Sequence, residues 1–321
     1  MKSEIRTHHR WIFWLILIST LLAGCSGSAP KPETITVSGA FALYPLMTQW
    51  AEAYQQVNPA VRIDVTAGGA GKGISDTLAG AVDIGMVSRE LSPEELNQGA
   101  FPVAVARDAV FGTLNAANPY LDQIMQKGFN QQLLAGIYIT GEITTWGQVL
   151  GKPEVTDQIR VFTRSDSAGA AEMWALYIAG KKQSDLLGIG VNADPGILEA
   201  VIKDPLAIGY NNLNYVFDPQ TQKPVNGVVI MPLDLNGSGA IEAHEIFADK
   251  ASAIQAVAEG RYPSPPARDL YLITKGSPGG AVKDFMIWIL NEGQVYVETN
   301  GYIALNPEQL NEMRSRLDIE T

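Results

Sequence analysis

Three short stretches of this chain place small residues just ahead of a helical pattern, with polar or cationic side chains beside them. Ser38-Gly39-Ala40-Phe41-Ala42 leads to Pro45, Gly68-Gly69-Ala70-Gly71-Lys72-Gly73 leads to Ile74, and Arg164-Ser165-Asp166-Ser167-Ala168-Gly169-Ala170 leads to Ala171. The first N–H groups of a helix lack intrahelical acceptors and carry a partial positive charge, so they suit oxyanions. Small residues let the backbone approach such an anion closely. Arg164 offers a planar two-pronged donor, Lys72 and Arg89 add charge, and Ser38, Ser88, Ser165 and Ser167 add hydroxyls. Together these stretches predict the binding of a tetrahedral anion between helix starts. The glycine-rich stretch is not a nucleotide P-loop, because neither Ser nor Thr follows Lys72. Asp166 has two readings: an acceptor that selects a protonated anion, or a structural partner of Arg164 and cap of the next helix.

A second pattern lies at Asp234 to Glu245 and fits a twelve-residue EF-hand loop. Asp234, Asn236 and Ser238 occupy positions 1, 3 and 5, and Gly239 occupies the sharp turn. Ala240 would give its carbonyl, Glu242 a water-mediated ligand and Glu245 a bidentate carboxylate. Val228 to Pro232 reads as a strand, so the expectation is a lone loop holding a structural Ca2+, and the main function needs no cofactor. The competing reading is an acidic turn capping the following helix.

Catalysis by familiar constellations is poorly supplied. Beyond residue 24 the only histidine is His244, and Cys25 is the only cysteine of the chain. Ser-His-Asp, Cys-His and histidine-rich metal chemistry are therefore not expected, and an enzyme acting on phosphoesters would need a nucleophile that the anion stretches lack.

The elements that must hold these stretches alternate between strand and helix. Thr34 to Gly39, Val61 to Val65 and Val82 to Val87 read as strands, with helices from Tyr44 to Gln56 and after the glycine-rich loop at 68–73. This β-α-β-α-β order predicts a parallel α/β sheet. Pro102 to Ala106, Ile159 to Thr163, Val228 to Met231 and Asp269 to Thr274 read as further strands. Leu121 to Leu134, Ala170 to Ala179 and Ala281 to Thr299 read as helices.

The N-terminus sets the compartment. Lys2, Arg6 and Arg10 precede an apolar run from Trp11 to Ala23, which is shorter than the ~20 residues of a membrane span. Residues 1–24 are read as a signal peptide and 25–33 as a flexible tether. The whole chain carries a net charge of −11, and losing Lys2, Arg6, Arg10 and Glu4 leaves −13. Such acidity argues against nucleic acid as a partner. About 290 remaining residues suit two lobes better than one core.

Leu22-Ala23-Gly24-Cys25 resembles the lipobox of bacterial lipoproteins, which implies a lipid on Cys25. Ser38-Gly39 through Pro45 and Trp50, the glycine-rich stretch, and Val82 to Arg89 resemble the phosphate-binding (PstS-type) subunits of bacterial ABC phosphate importers. The blocks at 164–169, Ile208-Gly209-Tyr210, Leu270-Tyr271, Lys283-Asp284-Phe285 and 301–305 continue the match in order. The resemblance implies a type II periplasmic-binding-protein fold, with lobe I at 34–104 plus 268–321 and lobe II at 105–267. It implies a monomeric lipoprotein in the cell envelope, facing the periplasm or exterior, that delivers phosphate to an ABC permease. A sensory or scaffold lipoprotein with another ligand is the alternative. The implied anion ligands are Ser38, Ala40, Phe41, Ala70, Gly71, Lys72, Ser88, Arg89, Arg164, Asp166, Ser167, Ala168, Gly169 and Ala170. The chain departs from the family where Ala40, Ala42, Ala168 and Ala170 replace usual hydroxyls, and where Ser88 replaces an aspartate of some members.

Overall fold

The computed structural model describes residues 33–317. The signal peptide, Cys25 and all of the tether but Glu33 lie outside the described residues. Glu33 already belongs to the first strand, β1 (Glu33–Gly39), which runs parallel to β2 (Val61–Ala67) and β3 (Ile84–Val87). Ile35 and Val37 of β1 face the core, and helices α1 (Tyr44–Val57) and α2 (Ala70–Ala79) make the crossovers. Pro45 sits in the first turn of α1, where its missing N–H costs nothing.

One strand joins the two halves. β4 spans 16 residues, Ala100–Asn115, where only Pro102 to Ala106 was expected. Its first part pairs antiparallel with β9 (Ala267–Lys275), from Ala100↔Lys275 to Ala109↔Ala267. Its second part pairs with β7 (Ala207–Asn212) and β8 (Val228–Ile230). β7 continues in parallel to β5 (Arg160–Arg164), and β5 to β6 (Ile189–Val191). The sheet order is β2-β1-β3-β9-β4-β7-β5-β6, with β8 beside β4.

Two hydrophobic clusters flank this junction. One gathers Ile35, Trp50, Met86, Val103, Leu272, Phe285 and Tyr302. The other gathers Phe111, Trp146, Trp174, Tyr210, Phe217 and Tyr262. Trp174 stacks on Tyr210 at 5.7 Å between ring centres, and Tyr138 meets both rings edge-on at 6.1 Å. β4 reads as a nearly unbroken apolar run because it is covered on both faces in both halves. Among the described residues, no helix is long and apolar enough to cross a membrane.

Three expected elements differ. The helix read over Leu121 to Leu134 splits into Leu121–Lys127 and Gln131–Ala135. Gly128 ends the first with φ +70°, and Asn130 caps the second by accepting from the Leu133 N–H at 2.9 Å. The helix read over Ala281 to Thr299 spans Gly280–Leu290, a separate turn, Val295–Thr299, follows, and a further helix, Pro307–Arg316, comes after both. The Gly293 carbonyl between Leu290 and Val295 accepts the indole N–H of Trp50 at 2.8 Å. The glycine-rich stretch is largely helical, since α2 begins at Ala70.

Gly73 explains that last difference. A Cβ there would lie 2.7 Å from the Met86 carbonyl oxygen and 2.8 Å from the Gly39 Cα, so α2 rests directly on the ends of β1 and β3. Gly73→Ala is expected to push α2 off the sheet and destabilise the protein by about 1–3 kcal/mol. Urea unfolding measures this, and an unchanged midpoint would contradict the close approach.

Candidate functional site

The three predicted turns meet in space. Ala40, Phe41, Ala42, Gly69, Ala70, Ser88, Arg164, Ala168, Gly169, Ala170 and Asn212 close around a tight pocket between the two halves that leaves no room for a water-sized sphere. A separate open cleft of about 1100 Å³, which shares Ala168 with it, lies alongside. Each of the three turns opens a helix: the short turn Phe41–Leu43 running into α1, then α2, then α3 (Gly169–Ala179). The residues preceding them, Ala40, Gly69 and Ala168, provide no side-chain cap. Elsewhere Ser92, Asn130, Thr145, Asp249 and Asn306 cap their helices, whereas the helices starting at Leu121, Ala193, Leu213, Gly280 and Val295 also begin without a side-chain cap. The Gly71 and Leu43 N–H groups are taken by the Ser167 and Ala40 carbonyls, and the first N–H groups at the other positions of these starts, without side-chain caps, suit an anion that enters the pocket.

Arg164 stands at the end of β5, where the hydroxyl of Tyr210 accepts its backbone N–H at 3.1 Å. The guanidinium is buried and held from two sides. Asp166 receives Nε at 2.7 Å and Nη2 at 2.5 Å, and Asp194 receives Nη1 at 2.7 Å. Asp166 thus takes the structural reading. It also accepts the Ala193 N–H at 3.0 Å, which ties β5 to the next helix start. Burial alone would push the Asp166 carboxyl up, but the guanidinium holds it below its ordinary range. Burial likewise opposes the charge on Arg164, and the two carboxylates outweigh it and strengthen proton retention. Across the cleft the Phe41 ring covers the guanidinium, 5.3 Å from its centre.

The halves also touch directly. The Gly71 N–H donates to the Ser167 carbonyl at 3.1 Å, and the Tyr215 hydroxyl donates to the Phe41 carbonyl at 3.2 Å. Gly69 is needed here because its φ is +91° and a Cβ would lie 2.5 Å from the Ser167 oxygen.

Several expected anion ligands sit elsewhere. Lys72 does not line the pocket: its half-exposed ammonium pairs with Asp76, one turn on. The Ser38 hydroxyl donates to the same carboxylate at 2.7 Å, away from the anion. Arg89 forks onto Glu95 at 2.7 and 2.9 Å and lines the outer cleft with Ser165 and Ser167. In each case a local carboxylate or carbonyl outcompetes an empty position for the donor. Ala40, Phe41, Ala70, Ser88, Arg164, Ala168, Gly169 and Ala170 do line the pocket, whereas Asp166 stands behind it as the partner of Arg164.

The site also uses residues that sequence reasoning missed. Asp194 is fully buried and joins Arg164 to the side chains of Asn211 and Asn212. Arg268, on β9, donates Nε to the Ser88 carbonyl at 3.2 Å and Nη2 to the Asn212 side-chain oxygen. Asp108, on β4, lies 3.4 Å from Arg268 and is fully buried. Two adjacent asparagines closing an apolar strand were the available signal. Asp194 by contrast looks like an ordinary acid in a helix's first turn.

The loop from Asp234 to Glu245 closes on itself. Asp234 accepts the N–H groups of Ser238 and Gly239, both at 3.0 Å. Glu245 accepts those of Leu235 and Glu242 at 2.8 and 3.0 Å. The Asn236 amide donates to Glu242, and the Ser238 hydroxyl donates to the Ala240 carbonyl. Among the described residues, no three His, Cys, Asp or Glu side chains converge as a metal set, so the Ca2+ expectation finds no support in this geometry.

Burial pushes the Asp108 carboxyl up to about 6, with Arg268 pulling the other way. The folded state then holds this proton more tightly than the unfolded chain does. The contribution of Asp108 to stability must fall as pH rises from about 4 to 6 and stay flat above, by about 3 kcal/mol at ~1.4 kcal/mol per pKa unit. The check is the difference between wild type and Asp108→Asn in urea unfolding across that window. A difference that grows with pH would show that Arg268 dominates instead.

Comparison with known proteins agrees with this architecture. A family model described as a PBP superfamily domain matches residues 25–292. The phosphate-binding protein PstS of Bacillus subtilis is 29% identical over 283 residues, covering 87% of this chain and 83% of its own. The PstS of Methanocaldococcus jannaschii is 27% identical and covers 92% of this chain and 90% of its own. Among solved structures, a putative phosphate ABC transporter substrate-binding protein from Clostridium perfringens, with bound phosphate, superposes with a TM-score of 0.68. It is 25% identical, with 85% of this chain and all of that one covered. An ABC-type phosphate transport receptor from Vibrio cholerae gives 0.63 at 24% identity, with 84% of this chain and all of that one covered. A two-lobed α/β body whose uncapped helix starts meet at an interlobe pocket, matched along most of its length by these relatives, belongs to the PBP superfamily, with relatives of the PstS type.

Proposed function

We propose that this protein captures inorganic phosphate in the interlobe pocket and hands it to the permease of an ABC importer. The observation that carries the reading is the convergence of three helix starts without side-chain caps, from both lobes, on one pocket lined by small residues. Relatives named phosphate-binding protein PstS, and the phosphate-bound Clostridium perfringens structure, support the choice of anion and of partner. We place the lobes at 34–104 plus 268–321 and 105–267; the two hydrophobic clusters support the division, except that Val105 and Ala106 pack with the first lobe and Ile303 with the second. Relatives named as phosphate-binding proteins support reading this protein as a binder rather than an enzyme.

Lipid on Cys25 would hold the body at the membrane. Replacing Cys25 with Ala should release the protein into the soluble envelope fraction, and retention of the variant on membranes would remove the anchor from this reading.

Calorimetric titration of residues 26–321 with phosphate tests the main claim. A Cβ at position 169 would lie 2.2 Å from the Ser88 hydroxyl and 2.5 Å from its carbonyl, across the lobe boundary. Gly169→Ala is therefore expected to hold the lobes apart and weaken phosphate binding at least tenfold, while leaving each lobe's core intact. Equal affinity in the variant would mean that the anion binds without this closure.

A further inference from the structure

The second half of the molecule carries another concavity, with a wall unlike that of the anion pocket. Its volume is about 560 Å³, and it shares no residue with the anion pocket or with the open cleft. Small-ligand sites usually measure about 300–1,000 Å³. Four separate segments build it: Asn130 to Gln132 at the start of the helix Gln131–Ala135, Tyr177 near the end of α3, Asp234 to Gly237 of the closed loop, and Arg261 ahead of β9.

The wall is polar, and its hydrogen-bonding capacity is half used. The Asn130 side-chain oxygen accepts from Leu133, which leaves the amide N–H groups of that side chain. The Gln131 amide donates to the Tyr177 carbonyl at 2.7 Å, which leaves its oxygen. Gln132 is exposed and its side chain bonds to no described residue, so both halves of its amide remain. Arg261 gives Nε to Glu259 at 2.7 Å and keeps both Nη groups. Each Asp234 oxygen accepts one backbone N–H and has a lone pair for a second donor.

Tyr177 is the second observation that points to a ligand. The residue is only 7% exposed, yet its hydroxyl has no hydrogen-bond partner among the described residues. Tyr138 and Trp174 nearby hold polar atoms that are sealed from solvent without a partner, and the Tyr177 hydroxyl is not one of these. It opens on the concavity that Tyr177 lines.

We propose that this concavity binds a neutral oligosaccharide. A sugar hydroxyl donates and accepts at once, which matches amides with one free half each beside a tyrosyl hydroxyl with both roles open. An anion would meet Asp234, and the only cation in the wall already shares its charge with Glu259. An apolar ligand would bury these polar groups unpaired. A peptide added as a strand would need a sheet edge, and no residue of the wall belongs to a strand.

The experiment titrates the protein calorimetrically with maltotriose, cellotriose and chitotriose, each with and without saturating phosphate. Saturable binding of at least one trisaccharide, unaffected by phosphate, is the expected result. Tyr177→Phe keeps the ring and removes the hydroxyl, and Gln132→Ala alters an exposed side chain. Each should weaken the sugar about tenfold, the worth of one hydrogen bond, and leave phosphate affinity unchanged. If Tyr177→Phe loses both ligands through misfolding, Gln132→Ala decides. No saturation by any of the three sugars, sugar binding that neither variant weakens, or displacement of the sugar by phosphate overturns the proposal, and none of these outcomes touches the phosphate reading.

Discussion

Helix-start N–H groups that no side chain caps are the constraint around which this molecule is arranged. Buried amides without acceptors are costly, and at five helices the chain solves that problem locally with Ser, Thr, Asn or Asp. Of the helix starts without such a cap, three are brought to one place from two separate cores. Each needs small residues at its start, close contact with the sheet beneath it, and a route across the molecule for the chain. Gly73 against Met86, Gly69 against Ser167 and Gly169 against Ser88 are the local consequences.

Charge plays a smaller part than the residue types suggest. Arg164 faces two carboxylates, and Arg268 faces Asp108 in a neighbouring buried pair. Three acids therefore surround two guanidiniums, and Lys72 and Arg89 are bound to acids of their own. The overall charge of −11 is not offset by a strongly basic pocket. Attraction for an anion must come from oriented backbone dipoles and from geometry fixed in advance, which act at short range and are little screened by salt.

Much of this was legible in the sequence because it is local. Strand, small turn and helix start follow one another in the chain, so Gly39 to Pro45, Gly68 to Ile74 and Arg164 to Ala171 announce themselves. What was not legible is choice of partner. Lys72 carries the same charge whether it meets an anion or Asp76, and spacing along a helix favours Asp76 four residues on. Asp194 and Arg268 join the site from distant strands and helices, and only the fold reveals them. The loop at 234–245 shows the reverse case, since its residues match a cation pattern while backbone N–H groups occupy the carboxylates of Asp234 and Glu245.

The long strand β4 has a thermodynamic consequence. Val103 and Ala106 belong to one core, Val110 and Leu114 to the other, and the ladder to β9 runs unbroken to Ala109 apart from a bulge at Ala104/Ala106. Neither core can melt without unzipping hydrogen bonds that the other relies on. The two halves are thus built to unfold as one cooperative unit, because the strand that joins them belongs to both cores.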